Sequence, residues 1–283
     1  MSARTALVTG AGRGIGRAVV ERLLERGWRV AAGVRDPERA REEMGARDGL
    51  AIVPLEVGDR ESVRAGVAAA QEHAGGALAL VVNNAGYAAM GAQEDADLDQ
   101  IRAMFDTNVF GAAAVVQAAL PAMREAGRGA IVAVGSVADI LPTPLVGFYN
   151  ASKAALTAMC HSLAVESRPF GIRVSVVVPG MVDTDFPRAT VLSGSAAAED
   201  GVYRPLLVGL RTGFARWRAE SQVSAQVVAD AVVRAAEDPQ APFRVIVGPD
   251  TEMFTRRRAE VDDRAWQDGF VEFLGSDWGR SPG

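Results

Sequence analysis

Several residue types are scarce in this chain, and each scarcity excludes something. There is one cysteine, Cys160, so no internal disulfide can form, and the scarcity fits a reducing compartment. There are two histidines, His73 and His161. Cys160 and His161 are adjacent, but neighbours on a helix diverge by about 100°, so the pair reads as helix packing and not as a zinc site. Basic residues do not outnumber acidic ones: 30 Lys and Arg against 35 Asp and Glu leave a net charge of −5, which argues against a broad nucleic-acid footprint. Long apolar runs are missing as well. "LALVV" and "IVAV" are far too short to span a bilayer, and "MSARTALVTGAGRG" reaches its glycines without the apolar core of a signal peptide. These absences predict a cytoplasmic protein without membrane partners. The last scarcity is the most informative. Lys153 is the chain's one lysine, and every other basic residue is arginine.

What is present is the composition of a soluble globular domain, 49% apolar and 23% charged. Short runs rich in Val, Ile and Leu recur at 5–9, 29–34, 50–56, 78–83, 130–135, 172–179 and 243–248. They are continuously apolar, as strands are when both faces of a parallel sheet are covered. Helical patterns over 14–26, 59–74, 98–125, 147–168 and 222–237 separate them. This alternation predicts an α/β fold: one doubly wound parallel sheet of about seven strands in a single Rossmann-type domain spanning 1–250. Residues 184–221 are long for a connection and read as a lid. Residues 251–283 read as a tail ending in an amphipathic helix, with Trp266, Phe270 and Leu274 at i, i+4, i+8. The tail's apolar face could close a pocket, pack on the core or meet another subunit.

The first strand ends in "TGAGRGIG" (9–16), and a helix follows at once. Glycines 10, 12, 14 and 16 allow a tight turn and close backbone approach, and the helix start offers N–H groups and a positive dipole end to a pyrophosphate. This spacing, "NNAG" at 83–86, Tyr149-x-x-x-Lys153, and "PG" at 179–180 with Thr184 together resemble the short-chain dehydrogenase/reductase family over roughly residues 3–250.

The resemblance implies a nicotinamide cofactor held by Gly10, Gly12, Arg13, Gly14, Ile15, Gly16, Asn83, Ala85, Gly86, Pro179, Gly180, Val182 and Thr184, with Tyr149 and Lys153 at the ribose. At the end of the second strand, an acid would bind the ribose 2′-OH of NAD, whereas an arginine accommodates the 2′-phosphate of NADP. Both Arg35 and Asp36 are present. Asp36 precedes Pro37 and reads as a helix N-cap, so Arg35 points to NADP(H) over NAD(H). Glu56, followed by Val57, stands where relatives carry Asp toward the adenine.

The same resemblance implies a catalytic tetrad of Asn108, Ser136, Tyr149 and Lys153. Tyr149 and Lys153 lie a helical turn apart on one face. A free tyrosine has a pKa of about 10, and lowering it to about 7 takes roughly 4 kcal/mol, expected from Lys153 and the nicotinamide together. Lysine suits the position because a compact ammonium can donate at once to ribose hydroxyls and to a water chain. Ser136, just past the fifth predicted strand, would hold the substrate oxygen. Asn108 resembles the asparagine whose helix distortion frees a backbone carbonyl for a water at the lysine.

The function expected is interconversion of a secondary alcohol and a ketone with NADP(H). Leu141, Val146, Phe148, Phe186, Leu206, Leu207 and Phe214, if turned inward, suit a medium-sized hydrophobic substrate. Tyr87 and Met181 lie in the same substrate-selecting loops. Two alternatives are a 3-oxoacyl thioester reductase of the same family and a non-catalytic NADP-sensing regulator, though regulators of this kind typically lose the tyrosine or lysine that this chain keeps. A homo-oligomer, dimer or tetramer, built on 98–125 and 147–168, is expected by resemblance.

Overall fold

The computed structural model describes residues 4–184 and 190–274. Eleven strands occur among them: β1 Thr5–Thr9, β2 Arg29–Val34, β3 Leu50–Pro54, β4 Leu80–Asn83, β5 Ala89–Met90, β6 Gly129–Val134, β7 Ile172–Pro179, β8 Val182–Asp183, β9 Val191–Leu192, β10 Val223–Ser224 and β11 Arg244–Val247. The helices are α1 Gly14–Glu25, α2 Pro37–Met44, α3 Arg60–Ala74, α4 Leu98–Phe105, α5 Ala112–Glu125, α6 Gly147–Ser167, α7 Arg204–Ser221, α8 Ala225–Glu237, α9 Pro249–Glu260 and α10 Asp263–Leu274.

Seven strands form one parallel sheet in the order β11-β7-β6-β4-β1-β2-β3. Successive residues on a strand face opposite sides, and both sides are apolar here. Val8, Val30 and Ala32 pack against Val19 and Leu23 of α1 and Val228 and Val232 of α8. Leu7, Ala31 and Val81 pack on the other face against Val63 and Val67 of α3, Val115 and Met123 of α5 and Leu156 of α6. The strands therefore needed continuous apolar runs, and their positions match the sequence pattern to within about two residues. Strand order reverses between β1 and β4, and a crevice opens there beyond the carboxyl ends of the strands, where ligands bind in such sheets.

α4, a π-helical turn and α5 run end to end from Leu98 to Glu125, and by length and mean hydropathy of 1.3 this stretch could cross a membrane. Here it buries Met104, Val115, Ala119 and Met123, as a core helix does. The π-helical turn is Asp106–Gly111. The 184–221 segment contains α7, and the tail holds two helices where one was expected. The tail packs inward: Trp266 of α10 joins Trp217 of α7 with Val137 and Leu141 in one cluster. Trp217 meets Phe254 of α9 edge-on at 4.9 Å between ring centroids. Leu274 ends α10, and residues 275–283 lie outside the described chain, as does Phe186. Cys160 is buried beneath the sheet, and the His161 ring stands edge-on to Phe243 at 4.4 Å.

Candidate active site

The glycine loop after β1 is shaped for close approach. Gly10 has φ +63, and a Cβ there would stand 2.9 Å from the Ala85 Cα. A Cβ on Gly16 would come within 2.3 Å of the Gly10 oxygen and 2.5 Å of Asn84 Nδ2, so α1 can abut the loop only with glycine at this position. Arg13 is the extended N-cap of α1 and offers no side-chain cap, leaving the helix's first N–H groups facing the crevice. Gly10, Gly12, Arg13, Gly14 and Ile15 line a cleft of about 1630 Å³, whereas Gly16 serves packing behind it. That volume exceeds the roughly 300–1,000 Å³ of an ordinary small-ligand pocket and leaves room for a dinucleotide beside a second molecule.

The "NNAG" segment corrects one expectation. Asn83 is the last residue of β4, and its side chain turns away from the cleft to donate to the Ala112 oxygen at 3.2 Å. Strand alternation hands the cleft to Asn84 instead. Asn84 Nδ2 donates to the Thr9 oxygen at 2.9 Å and the Gly10 oxygen at 3.2 Å, and Thr9 Oγ1 accepts from the N–H groups of Asn84 and Ala85. Thr9 and Asn84 thus fasten the ends of β1 and β4 together, a role the sequence did not reveal. Ala85, Gly86, Val57, Pro179, Gly180, Val182 and Thr184 all line the cleft.

At the other end, Asp36 caps α2 with Pro37 behind it: its Oδ1 accepts from the Arg39 N–H at 3.0 Å. Arg35 is three-quarters exposed on the cleft, and its Nε lies 3.7 Å from Glu56 Oε2. Glu56 Oε1 accepts from the Gly58 N–H. The glycine loop and the cleft beside it fit a nicotinamide dinucleotide, with Arg35 and Glu56 on the cleft at the end of β2 and just past β3.

Ser136, Tyr149 and Lys153 converge at the carboxyl end of β6, all three lining the cleft. Ser136 caps the turn Val137–Asp139, its Oγ accepting from the Ala138 N–H at 3.1 Å, and its side chain hydrogen-bonds Tyr149. Tyr149 and Lys153 are buried on α6. Lys153 Nζ donates to the Val134 oxygen at 3.0 Å and stands 5.9 Å from the Tyr149 ring centroid.

Electrostatics here differ from the expectation of a lowered tyrosine. Burial, the largest cause, pushes Tyr149 up to about 12; the Ser136 hydrogen bond pulls the other way, and Asp139 adds to the rise. Burial likewise pulls Lys153 down to about 8, opposed by Asp139 and Cys160. Desolvation disfavours the charged form of each group, and in this seat it is the largest influence on both.

Asn108 lies within the π-helical turn, 1% exposed and behind the cleft. Its Oδ1 accepts from the Tyr87 N–H at 3.1 Å, and its Nδ2 donates to the Tyr87 oxygen at 2.9 Å and to Ser152 Oγ at 3.1 Å. Ser152 donates in turn to the Tyr149 oxygen at 2.8 Å. The side chain thus ties the Tyr87 loop to α6. A Cβ on Gly86 would meet Asn108 Oδ1 at 3.0 Å and Lys153 Nζ at 3.6 Å, so this corner has no slack.

Two carboxylates escaped the sequence reading. Asp139, whose side chain is 1% exposed, accepts at Oδ2 from Thr157 Oγ1 and from Arg244 Nη1, each at 2.7 Å. Asp250, 2% exposed in the first turn of α9, accepts from the Met181 N–H at 2.9 Å. A Cβ on Gly180 would lie 2.0 Å from the same Asp250 oxygen. Asp250 therefore anchors the loop after β7, and glycine at 180 makes room for it. Neither contact has a local sequence signal, because the partners are far apart in the chain.

Around the tetrad the cleft wall is apolar. Leu141, Val146 and Phe214 line it, and Leu206 and Leu207 instead build a cluster beneath it with Leu145 and Leu210. Phe148 packs with Tyr87 and Val146 beside Tyr149, off the lining.

The short chain dehydrogenase family model matches residues 4–192. An oxidoreductase of Botryotinia fuckeliana, BOA17, is 31% identical over 269 residues, covering 92% of this chain and 96% of its own. Among solved structures, a short chain dehydrogenase from Burkholderia cenocepacia in complex with NADP superposes with TM-score 0.75 at 27% identity, covering 95% of this chain and 98% of that one. A short chain dehydrogenase/reductase from Burkholderia phymatum in complex with NAD gives 0.77 at 28% identity, covering 92% and 94%. The crevice at the strand reversal, the glycine cradle and these matches agree: the chain is an oxidoreductase fold of the short-chain dehydrogenase/reductase family, to which it belongs.

Proposed function

We propose that the chain is an NADP(H)-dependent oxidoreductase that interconverts a secondary alcohol and a ketone on a medium-sized hydrophobic substrate. The observation that carries this reading is the convergence of Ser136, Tyr149 and Lys153 on one apolar-walled cleft beside the glycine cradle. When bound there, a reduced nicotinamide supplies the hydride that the carbonyl carbon takes. Ser136 Oγ donates to the carbonyl oxygen as charge develops on it, and Tyr149 Oη gives that oxygen its proton. With Tyr149 pushed up to about 12, the phenol is protonated at neutral pH, the form that ketone reduction requires. Lys153 fixes the ribose and, while charged, helps the phenol re-protonate.

The preference for NADP(H) rests on Arg35. Asp36 is spent on its helix cap, so the exposed guanidinium beside Glu56 is the group placed for a 2′-phosphate. We propose α7 as the substrate lid, with α9 and α10 bracing it. On the same footing we propose a cytoplasmic homo-oligomer that pairs through the helices carrying Phe110 and Val165, both well exposed.

The reading is tested by following NADPH and NADH oxidation with a panel of hydrophobic ketones. Turnover of one ketone class with NADPH preferred supports it. If neither cofactor is oxidised although NADPH binds, a nucleotide-sensing role replaces it.

A further inference from the structure

Charge is distributed unevenly along the cleft. Its acidic lining residues, Asp36, Glu43, Glu56 and Asp106, gather at the end where Arg35 and the start of α2 lie. Among the described residues, the charged groups lining the cleft around Ser136 and Tyr149 are buried Lys153 and two arginines of α7, Arg211 and Arg218, with the Asp139 carboxylate buried behind the lining.

Helix geometry explains how both arginines reach the cleft. α7 buries Leu206, Leu207, Leu210 and Trp217, and the stripe beside that face reads Arg211, Phe214, Ala215, Arg218. These positions follow the i, i+3, i+4, i+7 spacing of one helical face, so the guanidiniums leave the helix about 10 Å apart along its axis. Phe214 lies between them. Several cations of this acidic chain hold a carboxylate, among them Arg17, Arg22, Arg26, Arg39 and Arg244. Among the described residues, the side chains of Arg211 and Arg218 hold none. Two exposed like charges on one helical face at the cleft, flanking Phe214 and without a carboxylate partner, suit an oxyanion.

We propose that the substrate is an amphipathic keto acid, whose carbonyl sits at Ser136 and Tyr149 and whose anionic end is held by Arg211 and Arg218. This rests on the reductase reading and narrows its substrate class. The apolar wall between the two polar ends takes the substrate's hydrophobic body, and the arginines make the acid a better substrate than its neutral ester.

The test compares benzoylpropionate with its methyl ester, in the wild type and in Arg211→Met/Arg218→Met, which keeps an unbranched apolar stem and removes the charge. The expected results are a higher kcat/KM for the acid in the wild type, and in the variant a KM for the acid raised by roughly 30-fold, far more than that for the ester. An Arg211→Lys/Arg218→Lys variant recovers part of the loss. Binding is read separately by quenching of Trp217 fluorescence on titrating benzoylpropionate into the protein with NADP present. If no ketone turns over, the reductase reading fails, and this titration still decides the anion site. The proposal is overturned if ester and acid are equivalent, if the double variant weakens both alike, if benzoylpropionate does not bind, or if the variant's loss is in NADPH affinity. The last result would assign the guanidiniums to the cofactor's phosphates.

Discussion

Thr157 donates to Asp139 at 2.7 Å from one helical turn beyond Lys153, so a buried carboxylate is clamped against the helix that carries both Tyr149 and Lys153. The clamp's other jaw is Arg244 of β11, also at 2.7 Å. Asp139 itself sits three residues after Ser136, on the turn that Ser136 caps. One side chain thus joins the serine turn, α6 and the edge strand of the sheet.

Its charge acts on both titrating groups, raising Tyr149 and Lys153 together. Asp139→Asn removes that influence, so Lys153 loses its proton earlier and so does Tyr149. Ketone reduction needs the proton on each. The alkaline limb of kcat/KM for the ketone is therefore expected to move to lower pH, on the order of one unit. The pH profile of the variant checks this; reduced activity with an unmoved limb would show Asp139 to be a structural clamp alone.

Burial of Lys153 carries a stability cost. Its pKa in the folded chain is about 8, below the ordinary 10.5, so between these values the unfolded chain binds more protons and stability rises with pH. Lys153→Met is expected to stabilise the protein at pH 7 by about 1–3 kcal/mol while abolishing turnover, and the gain narrows as pH rises toward 10. Urea melts of both proteins at pH 7 and pH 9 measure the difference.

Asp250→Ala leaves the Met181 N–H without its acceptor and opens a void behind Gly180. An orphaned buried donor costs about 1–3 kcal/mol, and the loop after β7 carries it. The expected outcome is NADPH affinity weakened about tenfold with the fold intact, read by fluorescence titration and circular dichroism.

Arg35→Leu removes the exposed cation at the end of β2 and releases Glu56 from it. The kcat/KM ratio of NADPH to NADH is expected to fall by about 10–100-fold, as for loss of one charge-assisted phosphate contact. An unchanged ratio would move the phosphate site to Arg13 or Arg39.

Features with local causes were legible in the sequence. Continuous apolar runs marked the seven sheet strands because both faces are covered, and Asp36-Pro37 marked the start of α2 because a cap and a first-turn proline are neighbours in the chain. Gly10, Gly12 and Gly14, like Tyr149 and Lys153, stand in one cleft because each group is spaced within a single turn or helix. What escaped was long-range. Asp139 meets Arg244 across 105 positions and Asp250 meets Met181 across 69. Asn83 rests on the resemblance alone; the strand end at 83 is as expected, but the side chain's turn toward Ala112 depends on α5 packing against β4. The tyrosine's high pKa was missed because burial around it exists only once α6, the Ser136 turn and the Tyr87 loop have assembled.

The most direct test of the account is NADPH oxidation by Tyr149→Phe and wild type, measured side by side with the best ketone of the panel. Phenylalanine keeps the ring and removes the proton. The account predicts that Tyr149→Phe binds NADPH as tightly as wild type and loses about 10²–10⁴-fold in turnover. Turnover within a few-fold of wild type would contradict it and take the proton transfer away from Tyr149.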